Sequence, residues 1–114
     1  MTPRVPSGRV AIIGHVEWVT HATGRFPAIG GITDLGEPFS EPAGGGGVAA
    51  CAAARLGAPT VLITALGDDS AARDSGAILS ARGIELVVAH RHGPQTPAVS
   101  ACDANGERSI AVVG

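Results

Sequence analysis

Ala43-Gly44-Gly45-Gly46-Gly47-Val48-Ala49-Ala50-Cys51-Ala52-Ala53-Ala54-Arg55-Leu56-Gly57 is the stretch on which the fold turns. Four successive glycines lead straight into an alanine-rich run. Alanine has the highest intrinsic helix propensity, so Val48 to Leu56 is expected to be helical, with Gly57 at the C′ position that ends it. Every glycine costs backbone entropy when it is ordered, so four in a row at a helix start require a reason. One reason is close approach of a ligand to the main chain: helix N-terminal N–H groups without Cβ atoms suit a polyhydroxylated or phosphorylated molecule. The other is a flexible linker, a reading that the strong helix following at once weakens.

Upstream, Val10 to Ile13 is a short apolar run closed by Gly14, the pattern of a buried strand. From His15 to Pro42, prolines, glycines and polar residues mix with Val, Trp, Ile and Phe. This reads as a loop with short, partly exposed strands around Glu17–Thr20 and Ile32–Phe39. Downstream, Pro59 leads into a β-branched strand at Thr60 to Leu66. Gly67-Asp68-Asp69-Ser70 is a turn with N-cap candidates, Ala71 to Arg82 a second helix stopped by Gly83, and Ile84 to Ala89 a third strand. After a loop at Arg91 to Pro97, Ala98 to Ala104 and Glu107 to Val113 flank Asn105-Gly106, a hairpin signal. Strands alternating with helices argue for an α/β fold with a parallel sheet. The hairpin and the region from His15 to Pro42 fall outside that alternation, as an antiparallel appendage. Two helices on a three-strand parallel sheet leave one face bare, which points to a piece of a longer protein.

The chain has 114 residues, enough for one small domain. Apolar residues make up 45% and aromatics 3%, so the core must be built from Ala, Val, Ile and Leu. A net charge of −2 gives no electrostatic case for nucleic acid or an anionic membrane. All 8 basic residues are Arg, which removes any Schiff-base or P-loop lysine. Cys51 and Cys102 are isolated and fit a reducing cytoplasm better than a disulfide framework. The segment Met1 to Arg9 is polar and contains two prolines, unlike a secretory signal. The longest apolar stretch, Val48 to Leu66, is interrupted by Arg55, Gly57 and Pro59 and is not a membrane span.

Other candidate chemistry is sparse. Gly44-x-Gly46-x-x-Ala49 satisfies a loose dinucleotide fingerprint, with Asp68 placed for a ribose contact, but Ser40-Glu41-Pro42 stands where a buried strand should precede it. His15, His21, His90 and His92 match no metal-site spacing and read as surface or loop residues. Asp68 and Asp69 are either paired carboxylates for acid–base work or caps for the helix near Ala71. Trp18 either stacks on a ligand ring or sits in an interface. Arg108 pairs across the hairpin or reaches a ligand. Glu17, shortly after the first strand, is either a hydrogen-bonding group for a ligand or a solvated carboxylate.

Ala43 to Ala50, then Gly57, then Gly67, resembles the first signature of PfkB-type (ribokinase-like) carbohydrate kinases in residue type and spacing. Ala54-Arg55-Leu56-Gly57 and Ala65-Leu66-Gly67-Asp68-Asp69 look like that family's helix end and second strand, and Asp103 to Ile110 like its lid hairpin. The resemblance implies an incomplete Rossmann-like α/β parallel sheet (about 9–14 and 44–91) with a small antiparallel β lid (about 15–42 and 98–113). It implies an amino-terminal portion of an enzyme that phosphorylates a sugar or related hydroxyl compound with ATP and Mg²⁺, and a homodimer formed through the lid. The substrate-binding positions it implies are Gly44, Gly45, Gly46, Val48 and Glu17. Two departures stand out. Val48 occupies the family's Asn position and supplies neither donor nor acceptor. The carboxyl-terminal signature Asp-x-x-Gly-Ala-Gly-Asp, which carries the catalytic base and anion hole, is absent, so catalysis by the chain alone is not expected. A catalytically inactive ligand-binding module is the alternative, and a dinucleotide-binding domain a third.

Overall fold

The computed structural model describes residues 8–114, so most of the polar segment read as no secretory signal lies outside the described residues. Chain order is β1 (Val10–Ile13), β2 (Glu17–Thr23), β3 (Gly36–Ala43), α1 (Gly44–Arg55), β4 (Thr60–Leu66), α2 (Ser70–Ala81), β5 (Ile84–His90), β6 (Pro97–Cys102) and β7 (Arg108–Val112). They form two sheets, one ordered β1-β4-β5 and the other β3-β2-β6-β7.

The first sheet is parallel throughout, with Ile12, Leu62 and Leu86 side by side on one face. Side-chain alternation along a strand then sends Ile13, Ile63 and Val87 to the other face. Both helices cover the Leu62 face. Ala50 of α1 and Ala72 and Leu79 of α2 join Val16, Leu62, Leu66 and Ile84 in one core cluster. With alanine as the main helix residue, α1 lies close to the sheet and the leucines fill the space between. Burial of Leu62 and Leu79, both 0% exposed, contributes about 1.5–3 kcal/mol each. The opposite face is bare: Ile13 is 82% exposed and Val87 50%. Gly57 and Gly83, with φ of 89° and 83°, follow the two helices as expected of C′ glycines.

The second sheet, the lid, is antiparallel on its flanks, where β2 pairs with β3 and β6 with β7. Its central joint, β2 with β6, is parallel. Topology supplies the reason. β2 and β6 each leave the carboxyl end of a parallel core strand, β1 and β5, through short links, so they set off in the same direction. β3 and β7 then return beside them.

Several boundaries differ from the sequence reading; β2, for one, runs on to Thr23. Helix α1 starts at Gly44 and takes in all four glycines as its first turn, so they are no linker. β3 begins after Ile32 and runs up to the helix without a break. The lid hairpin has a loop of residues 103–107 in place of a two-residue turn. A type I′ turn needs positive φ at both central residues, and in this loop only Gly106 has it, at 79°. Asp103 closes the loop instead: its Oδ1 accepts the N–H groups of Asn105 at 2.9 Å and Glu107 at 3.0 Å.

Candidate functional site

The amino end of α1 is capped from outside the helix. Ala43 at the N-cap has no side chain for the task, and His15, in the link from β1 to β2, takes it over. Its carbonyl accepts the N–H of Gly46 at 3.0 Å and of Gly47 at 3.3 Å. Its Nε2 stands 3.3 Å from the donating N–H of Gly45. This contact works only if the link lies flat against the helix, and that is what the glycines permit. A Cβ on Gly46 would stand 2.6 Å from the Gly14 carbonyl carbon, and one on Gly14 would stand 2.8 Å from Gly46 Cα. Gly44 has a φ of 78° and would place a Cβ 3.0 Å from the Glu17 nitrogen. Gly47 alone has room, with nothing nearer than 3.8 Å. Backbone packing therefore accounts for Gly44 and Gly46.

Glu17 is set opposite Ala43 by the β2–β3 ladder, which brings its carboxylate beside the glycine turn. Its Oε1 lies 3.4 Å from His15 Nε2. One nitrogen thus faces two partners with opposite demands: it accepts from Gly45 when unprotonated and donates to Glu17 when protonated. The Glu17 side chain is 17% exposed and that of His15 65%, so the pair sits at the mouth of the turn. Of the sequence-derived positions, Gly44, Gly45, Gly46 and Glu17 converge here.

Val48 does not join them. It is one turn further along α1, 59% exposed, on the wall of a 580 Å³ groove with Glu41, Cys51, Arg55 and Arg82. Val19 is buried against Ala43 and Ala98. Trp18 projects from the opposite face of the lid, between its strand neighbours Pro42 and Pro97, which places it in the lid rather than at the turn. The cross-strand ion pair expected of Arg108 does not form among the described residues. Arg108 stands opposite Cys102, and it is Arg25 that donates to the Asp103 carboxylate, at 2.8 Å. His21 stacks on Phe39, and His92 lies beside Asp68. Among the described residues no group of three His, Cys, Asp or Glu side chains could hold a metal ion, and no helix is long and apolar enough to cross a membrane.

Asp69 caps α2, accepting the Ala72 N–H at 3.0 Å. The same Oδ1 accepts the Gln95 N–H at 3.1 Å. These two N–H groups, Ala72 first, hold the Asp69 carboxyl below the usual carboxylate range. Asp68 does not cap the helix; it holds the link between β5 and β6, with its N–H donating to the Gly93 carbonyl and its Oδ1 accepting from Gly93. The glycines follow β3, a strand of the second sheet, whereas a dinucleotide fingerprint follows a strand of the parallel sheet directly. Sequence reasoning missed Gln95, and it read His15 as a surface or loop residue without its capping role. Neither carries a pattern: a glutamine between Pro94 and Thr96, or a histidine after Gly14, acquires its role only from what folds against it.

A sequence profile of the pfkB family carbohydrate kinases matches residues 8–114. Among curated proteins, none matches the chain significantly by sequence. Solved structures with the same fold include a ribokinase from Giardia lamblia (TM-score 0.81, 22% identity, covering 93% of this chain and 33% of that one). Another is the phosphofructokinase-2 from Escherichia coli in complex with fructose-6-phosphate (TM-score 0.79, 18% identity, 93% and 35%). A third is an Arabidopsis thaliana ribokinase complexed with ribose and ATP (TM-score 0.71, 22% identity, 95% and 36%). The chain therefore spans about a third of the length of the structures it resembles.

Proposed function

Because the chain belongs to the pfkB family of carbohydrate kinases, we propose that it supplies the sugar-binding turn and lid of a longer enzyme that transfers a phosphoryl group from ATP to a hydroxyl of a sugar or related compound. The observation that carries this reading is the convergence of Glu17 and the glycine turn at the carboxyl end of β1, set by the pairing of Glu17 with Ala43. A carboxylate accepts hydrogen bonds from sugar hydroxyls, and the Gly45 N–H, which donates to the His15 ring, can donate to a hydroxyl oxygen in its place. Of the four glycines, Gly45 is the exposed one and leaves its main chain open to a ligand of that kind. The role of these residues is to bind and orient the accepting hydroxyl and to exclude water from it.

ATP and Mg²⁺ are assigned to the longer enzyme and not to these residues. The chain contains no lysine, and the described residues offer no cluster of three metal-ligating side chains. The nucleotide and the catalytic base would come from the remainder of the parent protein, and no step through them is assigned to these residues. The exposed apolar side chains of the lid, Phe39, Ile110 and Val112, support a homodimer formed through it, since exposed sheet surface seeks a partner.

Val48 favours a second reading, a ligand-binding module without catalysis, because valine offers a hydroxyl nothing. The deciding experiment uses a longer protein that carries this chain, assayed with ATP and Mg²⁺ against a panel including ribose and fructose-6-phosphate. Phosphorylation of a panel member, lost on Glu17→Ala, supports the kinase reading. Saturable sugar binding without turnover supports the module, and neither binding nor turnover removes both.

A further inference from the structure

Three connections join the lid to the α/β core: the link Gly14 to Val16, the direct junction of Ala43 with Gly44, and the link of residues 91–96. One buried side chain ties the first and third to the core. Gln95 is 2% exposed. Its Nε2 donates to the Val16 carbonyl at 2.6 Å, and its Oε1 accepts the Gly67 N–H, at the end of β4, at 2.8 Å. Its own N–H donates to Asp69 at the start of α2. The next residue extends the stitch into the lid, where the Thr96 carbonyl accepts the Trp18 N–H at 2.8 Å. Gly67 admits this arrangement only because it has no side chain: a Cβ there would stand 2.5 Å from the Gly93 carbonyl oxygen and 2.7 Å from the Gln95 nitrogen.

We infer that Gln95 is a positioning residue that sets the angle of the lid sheet over the glycine turn. A primary amide is the one uncharged side-chain group that can donate and accept at once along a planar fork. Here both ends are used, one on the root of the lid and one on a core strand. Val16 follows His15, whose carbonyl caps α1, so a shift of the link moves the lid and the glycine turn's cap together. Buried polar groups left unpaired are costly, which makes this arrangement stiff while the amide is present and loose when it is not. The importance of the angle for a sugar substrate rests on the kinase reading; the angle itself does not.

The test measures residual dipolar couplings of backbone amides in the 114-residue chain, wild type against Gln95→Met, which keeps the volume and removes both hydrogen bonds, and Gln95→Glu, which keeps an acceptor for Gly67 and loses the donor to Val16. Wild-type couplings from β4 and β5 and from β2 and β6 should fit a single alignment. In Gln95→Met each sheet should fit only its own alignment, and the Gly67 amide should exchange at least about tenfold faster, the loss expected for one buried hydrogen bond. If Gln95→Met does not fold, Gln95→Glu carries the test, with the shared alignment lost and Gly67 still protected. A shared alignment at the wild-type angle in the folded variants would overturn the inference. In the longer enzyme, the Met variant should raise KM for the sugar and leave KM for ATP unchanged. An unaltered sugar KM in an active Met variant also counts against the inference, whereas a wild type with no sugar turnover removes the kinase reading and leaves the couplings to decide Gln95.

Discussion

Gly46 is packed against Gly14 so closely that a Cβ on Gly46 would lie 2.6 Å from the Gly14 carbonyl carbon. Both partners are backbone, so neither can rotate away. Gly46→Ala must push the β1–β2 link off the helix and is expected to destabilise the fold by about 1–3 kcal/mol, the range for overpacking. Gly47→Ala, in the same turn with ordinary clearance, is expected to stabilise it by up to about 1 kcal/mol through helix propensity. Urea denaturation of the two variants should move the midpoint in opposite directions.

His15 caps α1 in two ways that a single substitution separates. Its carbonyl serves Gly46 and Gly47 and its ring serves Gly45. His15→Ala removes only the ring. Amide exchange measured residue by residue should therefore quicken at Gly45 and stay unchanged at Gly46. Equal acceleration at both would mean that the link itself has shifted.

Asp69 links stability to acid pH. Its carboxyl is held below the ordinary range in the folded state by the N–H groups of Ala72 and Gln95, so the stabilisation is fully present above the unfolded value of about 3.9. It is lost as pH falls through the lower folded value. Asp103 acts with the same sign: burial raises its pKa, but the N–H of Glu107, the Arg25 side chain and the N–H of Asn105 together outweigh that effect and lower it. Thermal unfolding followed from pH 7 to 2.5 should show a shallower acid decline in Asp69→Asn than in the wild type, with a further flattening in the double variant with Asp103→Asn.

Leu62 is the centre of the covered sheet face and is fully buried. Leu62→Ala is expected to cost about 2–5 kcal/mol, the transfer term plus a cavity that the close alanines of α1 cannot fill. Val87→Ala, on the bare face at 50% exposure, should cost much less. A chemical denaturation series on the two variants checks the contrast and hence which face the helices cover.

Val48→Asn should leave stability within about 0.5 kcal/mol of the wild type, since the site is exposed and the two residues have similar helix propensities. In the longer protein it should tighten sugar binding if the groove beside α1 opens onto the substrate, and isothermal titration with ribose reads that directly.

The elements that repeat a local rule were legible in the sequence. The run Val10 to Ile13, the helix ending at Gly57 and the strand Thr60 to Leu66 each announce themselves within a few residues, because burial periodicity and helix stops are local properties. The lid was read less well. Its β3 boundary and the 103–107 loop depend on which strand lies alongside and on the Asp103 carboxylate, and neither shows in the order of residue types.

From sequence alone came the alternation of strands and helices, the likeness of the glycine turn and its spacing to one kinase family, and the exclusion of lysine chemistry. Only the tertiary structure decided why the glycines are there, that β2 and β6 run parallel, that Val48 stands apart from Glu17, and that Gln95 joins lid to core. The physical reason is range. Propensity and periodicity act over a few residues, whereas Gln95 and Val16 meet across a sequence separation of 79, and a contact of that kind exists only after both sheets have been laid down.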